Sequence, residues 1–224
     1  MNMRMIGILV RKDVRLLRLP VLFYLAAGAL SVGLMGVERH VAFYAGSVLL
    51  ITALIALGFH PTMATVVGER KEQTLAFVMS MPLTPADYLW SKLLANLVLF
   101  FLPWALLLAA TLGLIVARPT LPDGLIPYAL ILFGAIAAGA VFILCVALAT
   151  ESMQWTIVTQ IGCNLAFQGV MYSASNVAAI RTTLNGEAVV WSGPVFLFLG
   201  LEAAFSLLML ALTLWRQSRK TDFI

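Results

Sequence analysis

Charge is what this chain has least of. Only 11% of its 224 residues are Asp, Glu, Lys or Arg, against 62% hydrophobic, and its mean hydropathy is +1.01. Soluble globular domains carry roughly 25% charged residues, so a solvated surface on every side is excluded. Cysteine is almost missing as well. Cys145 and Cys163 both fall inside long apolar runs, which excludes a disulfide framework or a cysteine metal cluster and leaves small buried packing residues. No lysine follows a glycine, so Lys12, Lys71, Lys92 and Lys220 cannot belong to a GxxxxGK[ST] phosphate loop and the chain carries no ATP site of that kind. Soluble domains, long linkers, low-complexity tracts and internal sequence repeats are equally lacking. A cleavable leader is not expected, because the first apolar run follows a basic segment, is long enough to span and has no small-residue cleavage pattern.

What is present is hydrocarbon in lengths that fit a bilayer. A span needs about 20 mostly apolar residues, since roughly 30 Å must be crossed at about 1.5 Å per residue with every backbone group bonded internally. Six stretches meet this: Leu19 to Val37, Val41 to Val67, Leu93 to Ala117, Leu125 to Thr150, Trp155 to Ser175 and Val189 to Trp215. An even number puts both termini on one side.

The basic residues choose which side. With the termini in the cytoplasm, Arg4, Arg11, Lys12, Arg15 and Arg18, then Arg70, Lys71 and Lys92, then Arg216, Arg219 and Lys220 all lie inside. Of the 14 basic residues only Arg39, Arg118 and Arg181 are left outside, as the positive-inside rule requires. The net charge of +4 and pI near 9.3 therefore reflect cations beside spans, matched to anionic headgroups rather than to nucleic acid. The outer loops at 38–40, 118–124 and 175–188 are too short for an external catalytic or receptor domain, and the last holds an Asn185-Gly186 turn signal.

The arm MNMRMIGILVRKDVRLLRLP sets Arg4, Arg11, Arg15 and Arg18 largely opposite Ile6, Leu9, Val10, Leu16 and Leu17. That pattern predicts an interfacial amphipathic helix over 1–18, ending at Pro20. It is either a lever on the inner leaflet or a plain anchor for the first span.

Between spans two and three runs GERKEQTLAFVMSMPLTPADYLWSKL, a cytoplasmic loop over 68–92. Gly68 can end the second span, and Glu69, Arg70, Lys71, Glu72 and Gln73 form a polar turn. Leu75, Val78 and Met79 follow at helical spacing. A helix this short is unstable alone and needs a partner surface. Pro82 and Pro85 stop it, while Thr84, Pro85 and Asp87 supply an N-cap, a first-turn proline and a carboxylate at N3 for the next helix. A small helix clamped between two spans would pass a push to both, which is what a coupling element must do.

The run Glu69-Arg70-Lys71-Glu72-Gln73-Thr74-Leu75, then Met81-Pro82-Leu83-Thr84, Asp87 and Lys92, resembles the loop after the second span of ABC type-2 transporter permeases, with Gln73 where that family usually has glycine. RKDVRLLR at 11–18 is family-like too. The resemblance covers the whole chain. It implies a half-size permease, forming a homodimer or pairing with a related permease, driven by a separate cytoplasmic ATPase that holds ATP and Mg; this chain needs no cofactor and does no covalent chemistry. The ATPase-coupling residues would be Glu69, Arg70, Lys71, Glu72, Thr74, Leu75 and Val78.

Polar residues inside the spans are the remaining candidates. Thr156, Gln160, Asn164 and Gln168 recur every fourth residue in the fifth span, and such a stripe is costly against lipid. They either line a path at the dimer interface, as the resemblance implies for the second and fifth spans, or hydrogen-bond between helices. The second span adds Thr52 and His60, with Pro61 expected to distort it. Glu202 stands near the middle of the sixth span, where a carboxylate costs on the order of 3 kcal/mol unless satisfied. Gly134, Ala135, Ala138 and Gly139 allow close helix packing in the fourth.

The residues thus predict one all-α transmembrane domain over 1–224, six transmembrane helices with an N-terminal interfacial helix and a short coupling helix, multi-pass in a bacterial inner membrane. The function expected is export of an amphipathic or lipid-like substrate. The alternative is a proton-coupled secondary carrier using Glu202 and His60, which leaves the loop motif unexplained. An intramembrane serine protease does not fit, since Ser173, Ser175 and Ser192 fall near the outer face and His60 near the inner.

Overall fold

A computed structural model describes residues 3–71, 84–184 and 186–218, and these are helical nearly throughout. The long helices are α1 (Met3–Met35), α2 (His40–Thr62), α4 (Pro85–Ala117), α5 (Leu125–Thr150), α6 (Met153–Asn176) and α8 (Gly193–Ser218). Short α3 (Gly68–Lys71) and α7 (Ala178–Arg181) complete the set among the described residues. Five helices are long and apolar enough to cross a membrane: α1, α2 with its continuation to Val67, α4, α5 and α8. The fifth in chain order of the long helices, α6, is 24 residues long but too polar to meet that standard by composition, because the Thr156-to-Gln168 stripe dilutes it.

The N-terminal arm is not a separate interfacial helix. One helix of 33 residues runs from Met3 through Pro20 to Met35, about 50 Å at 1.5 Å per residue, longer than the roughly 30 Å of hydrocarbon that a span must cross. Pro20 removes one backbone bond, a defect of about 3 kcal/mol in an isolated helix, but the turns on both sides are held by packing. Ile6, Leu9, Asp13 and Leu17 face inward at steps of three and four, while Leu16 is exposed. The buried face of the arm is therefore turned to protein, and it carries an aspartate.

The second span also outruns its expected end. α2 passes beyond Pro61 into a π-helical turn, Met63–Val67, then directly into α3, and Gly68 keeps ordinary helical angles. The distortion expected at Pro61 is this turn, where the Thr65 hydroxyl donates to the Pro61 carbonyl at 2.8 Å. At the other end of the loop the expected cap is present. Thr84 and Asp87 form a reciprocal capping box with Pro85 at the first turn of α4.

Packing is organised around α5, the most buried long helix, rich in Ala and Gly. It touches α2 and α4 on one side and α6 and α8 on the other, while α1 lies outside α2 and α4. Leu54, Leu57, Phe100, Leu107, Phe133 and Ile136 form the main core where α2, α4 and α5 meet. α6 and α8 each lean on α5 and barely touch one another. Both cysteines are free.

At the opposite end of the bundle from the Thr84–Asp87 cap, the loop before α5 is tied to the segment after α7. Gly124 N–H donates to the Gly186 carbonyl at 3.0 Å, and a methyl at Gly124 would overlap the Thr183 carbonyl. Gly124→Ala should cost about 2 kcal/mol through this backbone clash, lowering the thermal midpoint in detergent by several degrees. Gly113→Ala, where a methyl meets open space, should not lower it.

Candidate functional site

Charged side chains converge at the end of the bundle where α1, α3 and α4 meet. Lys92, fully buried in the second turn of α4, donates to Asp13 Oδ2 of α1 at 2.8 Å and to Glu69 Oε1 of α3 at 2.7 Å. Lys12 donates to the same Glu69 oxygen at 2.6 Å and lies 3.4 Å from Asp13 Oδ1. The Tyr88 hydroxyl donates to Glu69 Oε2 at 3.1 Å, and the Lys92 ammonium stands 5.5 Å from the centre of the Tyr88 ring. Among the described residues, two cations thus face two carboxylates.

Its position follows from local structure. The capping box starts α4 at a defined residue and so points Tyr88 and Lys92 to one side, four residues apart. The π turn adds an extra residue to the helical turn just before α3, which aims Glu69 inward instead of into solvent. Further into the membrane, Asn96 donates to Thr65 Oγ1 at 2.8 Å and to the Lys92 carbonyl at 2.9 Å. A polar seam therefore joins α4 to the π turn above the ion cluster. Burial pushes the Glu69 carboxyl up, but Lys92 and Lys12 outweigh it and hold the group below the usual carboxylate range.

Of the residues expected to couple, Glu69 is buried in this cluster, Lys71 is exposed at the end of α3, and Arg70 lies between them in the helix. Glu72, Thr74, Leu75 and Val78, with the short helix expected there, lie outside the described residues. Asp13, Tyr88 and Asn96 were not expected at this site. The available signals were a lone acid among five cations in the arm, and a lysine four residues after a tyrosine at the mouth of an apolar span.

The intramembrane candidates separate into three places. Gln160 Nε2 donates to Asn164 Oδ1 at 3.1 Å on α6, and both line a narrow groove with Leu54, Ile55 and Gly58 of α2. Gln168 and Thr52 are exposed on the surfaces of α6 and α2, while Thr156 is buried and donates to the Ser152 carbonyl. His60 Nδ1 is 3.3 Å from the Tyr24 hydroxyl of α1. Glu202 lies elsewhere, in a cleft between α5, α6 and α8, so His60 is not at the Glu202 site. Among the small residues of α5, Gly134 meets the Glu202 carboxyl and Gly139 meets Cys163.

This arrangement defines a polytopic helical membrane protein in which buried ions lock one end of α1, α3 and α4 together. The family model described as ABC-2 family transporter protein matches residues 8–221, almost the whole chain. The chain belongs to that family, the membrane permeases of ABC transporters, which generally work with a cytoplasmic ATPase subunit. No curated protein and no solved structure matches it.

Lys92→Met takes the hydrogen-bonded cation from the fully buried Asp13 and one of two cations from Glu69, and should destabilise the folded protein by about 3–5 kcal/mol, read as loss of monodisperse protein in detergent. Asp13→Leu, Glu69→Gln and Lys92→Met combined should recover most of that loss, since no fully buried charge of the cluster is then left unpaired and the half-exposed Lys12 ammonium keeps its contact with solvent. Glu69 adds a pH dependence of known sign. Its folded pKa is depressed, so its contribution is full above the ordinary value of about 4.3 and is lost as pH falls through the lower folded value. Unfolding midpoints across an acid series should show this in the parent and not in Glu69→Gln.

Proposed function

We propose that this chain is the membrane-spanning half of an ATP-driven exporter in a bacterial inner membrane, with six spans and both termini cytoplasmic. Two copies, or one copy and a related permease, enclose the path, and a separate ATPase carrying ATP and Mg supplies the energy. The observation that carries the reading is the clamp at the start of the cytoplasmic loop: Glu69 is tied to α1 through Lys12 and to α4 through Lys92. When the ATPase surface pushes on the loop, Lys71, Glu72, Thr74, Leu75 and Val78 receive the contact. Glu69 passes it on to the two longest helices without slack.

The second span and α6 supply the face for the other half. Gln168, Asn164 and Thr52 are exposed on α6 and α2, where amide groups are poorly suited to lipid although the Thr52 hydroxyl donates within its own helix, and a second permease half covers them together with Gln160. The short outer loops and apolar helices suit an amphipathic or lipid-like cargo.

Purification of the tagged chain from its host in mild detergent should bring down an ATP-binding-cassette ATPase, with vanadate-sensitive hydrolysis in the complex. Glu72→Ala with Leu75→Asp should leave the chain in the membrane and reduce ATPase recovery at least tenfold; normal recovery would sink the coupling assignment. Gln160→Leu with Asn164→Leu should change transport while sparing recruitment of the ATPase.

A further inference from the structure

Among the described residues lining its cleft, Glu202 is the one that carries an ionisable acid or base of the Asp, Glu, Lys or Arg kind. It is the tenth residue of α8, about 14 Å from the outer end of that helix and so near mid-membrane. Its carboxyl rests against Gly134 of α5, whose missing side chain makes the room, and both oxygens are buried without a hydrogen-bond partner. The carboxyl faces a cavity of about 370 Å³ walled by Ala138 and Gly139 of α5, Cys163 and Phe167 of α6, and Phe198 and Phe205 of α8. Because α6 and α8 lean on α5 and barely meet, the cavity opens sideways between them. Phe142 of α5 and Phe205 pack edge to face, 5.4 Å between ring centres, across its inner end.

An apolar cavity of this size with one convergent polar group is the usual form of a small-molecule site. Its volume holds roughly a dozen heavy atoms at the 30 Å³ that a water occupies in the liquid. Lipid tails can fill the walls but offer nothing to the carboxyl. A second copy of the chain cannot answer it either, since all 14 basic residues lie in the arm, the loops, the tail or, for Lys92, the inner-end ion cluster. The missing partner is a cation that brings its own hydrocarbon.

We propose that the α5–α6–α8 cleft is a binding site for cationic amphiphiles carrying a primary amine, entered from the bilayer. The ammonium docks on Glu202 and the alkyl or aryl tail lies along Ala138, Gly139 and the phenylalanines. This deepens the exporter reading above by naming a class of cargo, and it rests on that reading only for the direction of movement.

The test uses the purified full chain in dodecyl maltoside, with dodecylamine as probe and dodecanol and dodecanoate as controls of equal length. Saturating dodecylamine should raise the thermal midpoint by about 5 °C, with dodecanol giving less than a third of that and dodecanoate none. Glu202→Gln, which keeps shape and removes charge, should abolish the amine shift. Ala138→Phe, which fills the cleft and leaves the carboxylate in place, should abolish it as well. An equal shift with dodecanol, an amine shift that survives either substitution, or no shift in the parent protein would overturn the proposal. Binding is read on the chain alone, so its failure is distinguishable from failure of an ATPase to co-purify.

Discussion

Everything at this end of the bundle depends on Lys92 being buried between Asp13 and Glu69, with Lys12 beside them. Taking such ions out of water costs several kcal/mol each, and their mutual attraction offsets this only where geometry is good and the remaining valences are filled. Here the groups come from three helices: α1 gives Lys12 and Asp13, α3 gives Glu69, and α4 gives Lys92 and Tyr88, so that both Glu69 oxygens and Asp13 Oδ2 are hydrogen-bonded and Asp13 Oδ1 has the Lys12 ammonium 3.4 Å away. Pulling any one helix away exposes an uncompensated charge to low dielectric, so the three move together or not at all. The ions therefore act less as glue than as a register pin.

That pin accounts for two departures from simple sequence rules. A proline ends an isolated helix, yet α1 continues through Pro20, because the arm before it is fixed by Asp13 to Lys92 and the span after it by packing of Val21, Tyr24 and Leu25 on the core. A glycine after an apolar run usually marks a helix end, yet Gly68 stays helical, because unwinding there would withdraw Glu69 from two ammonium groups. In both cases a tertiary term of several kcal/mol overrides a local preference of about 1 to 3 kcal/mol.

The same comparison shows how much was legible in the sequence. The membrane class, the long helices and the Thr84–Asp87 cap are written in local composition and spacing, within a few residues of where they act. The Asp13–Lys92 pair spans 79 positions and the Lys12–Glu69 pair 57, so no window along the chain contains either. The amphipathic reading of the arm assumed that its apolar side met lipid. Asp13 in the middle of that side is the sign that it meets protein, although one acid among five cations looks like ordinary surface. The polar stripe of α6 was legible as a stripe, but only the fold separates Gln160 and Asn164, beside α2, from Glu202, beside α5.

Satisfaction of buried charge gives a way to tell structural ions from working ones in this chain. Glu69 and Glu202 are both acids in an apolar protein and look alike in the sequence. Glu69 has each carboxylate oxygen bonded by groups from other helices, so its energy is already committed and a ligand would gain little by competing for it. Glu202 has none, although a glycine on the facing helix leaves it room and a cavity lies open beside it. An unsatisfied carboxylate in hydrocarbon is a standing cost of folding, and a stable fold would shed it by a single change to Gln or Leu unless the cost is returned when something binds. Stiffness at one end of the bundle and an unpartnered carboxyl at mid-depth are then two different uses of an acid: the first fixes three helices against one another, and the second leaves a polar group open to a cavity.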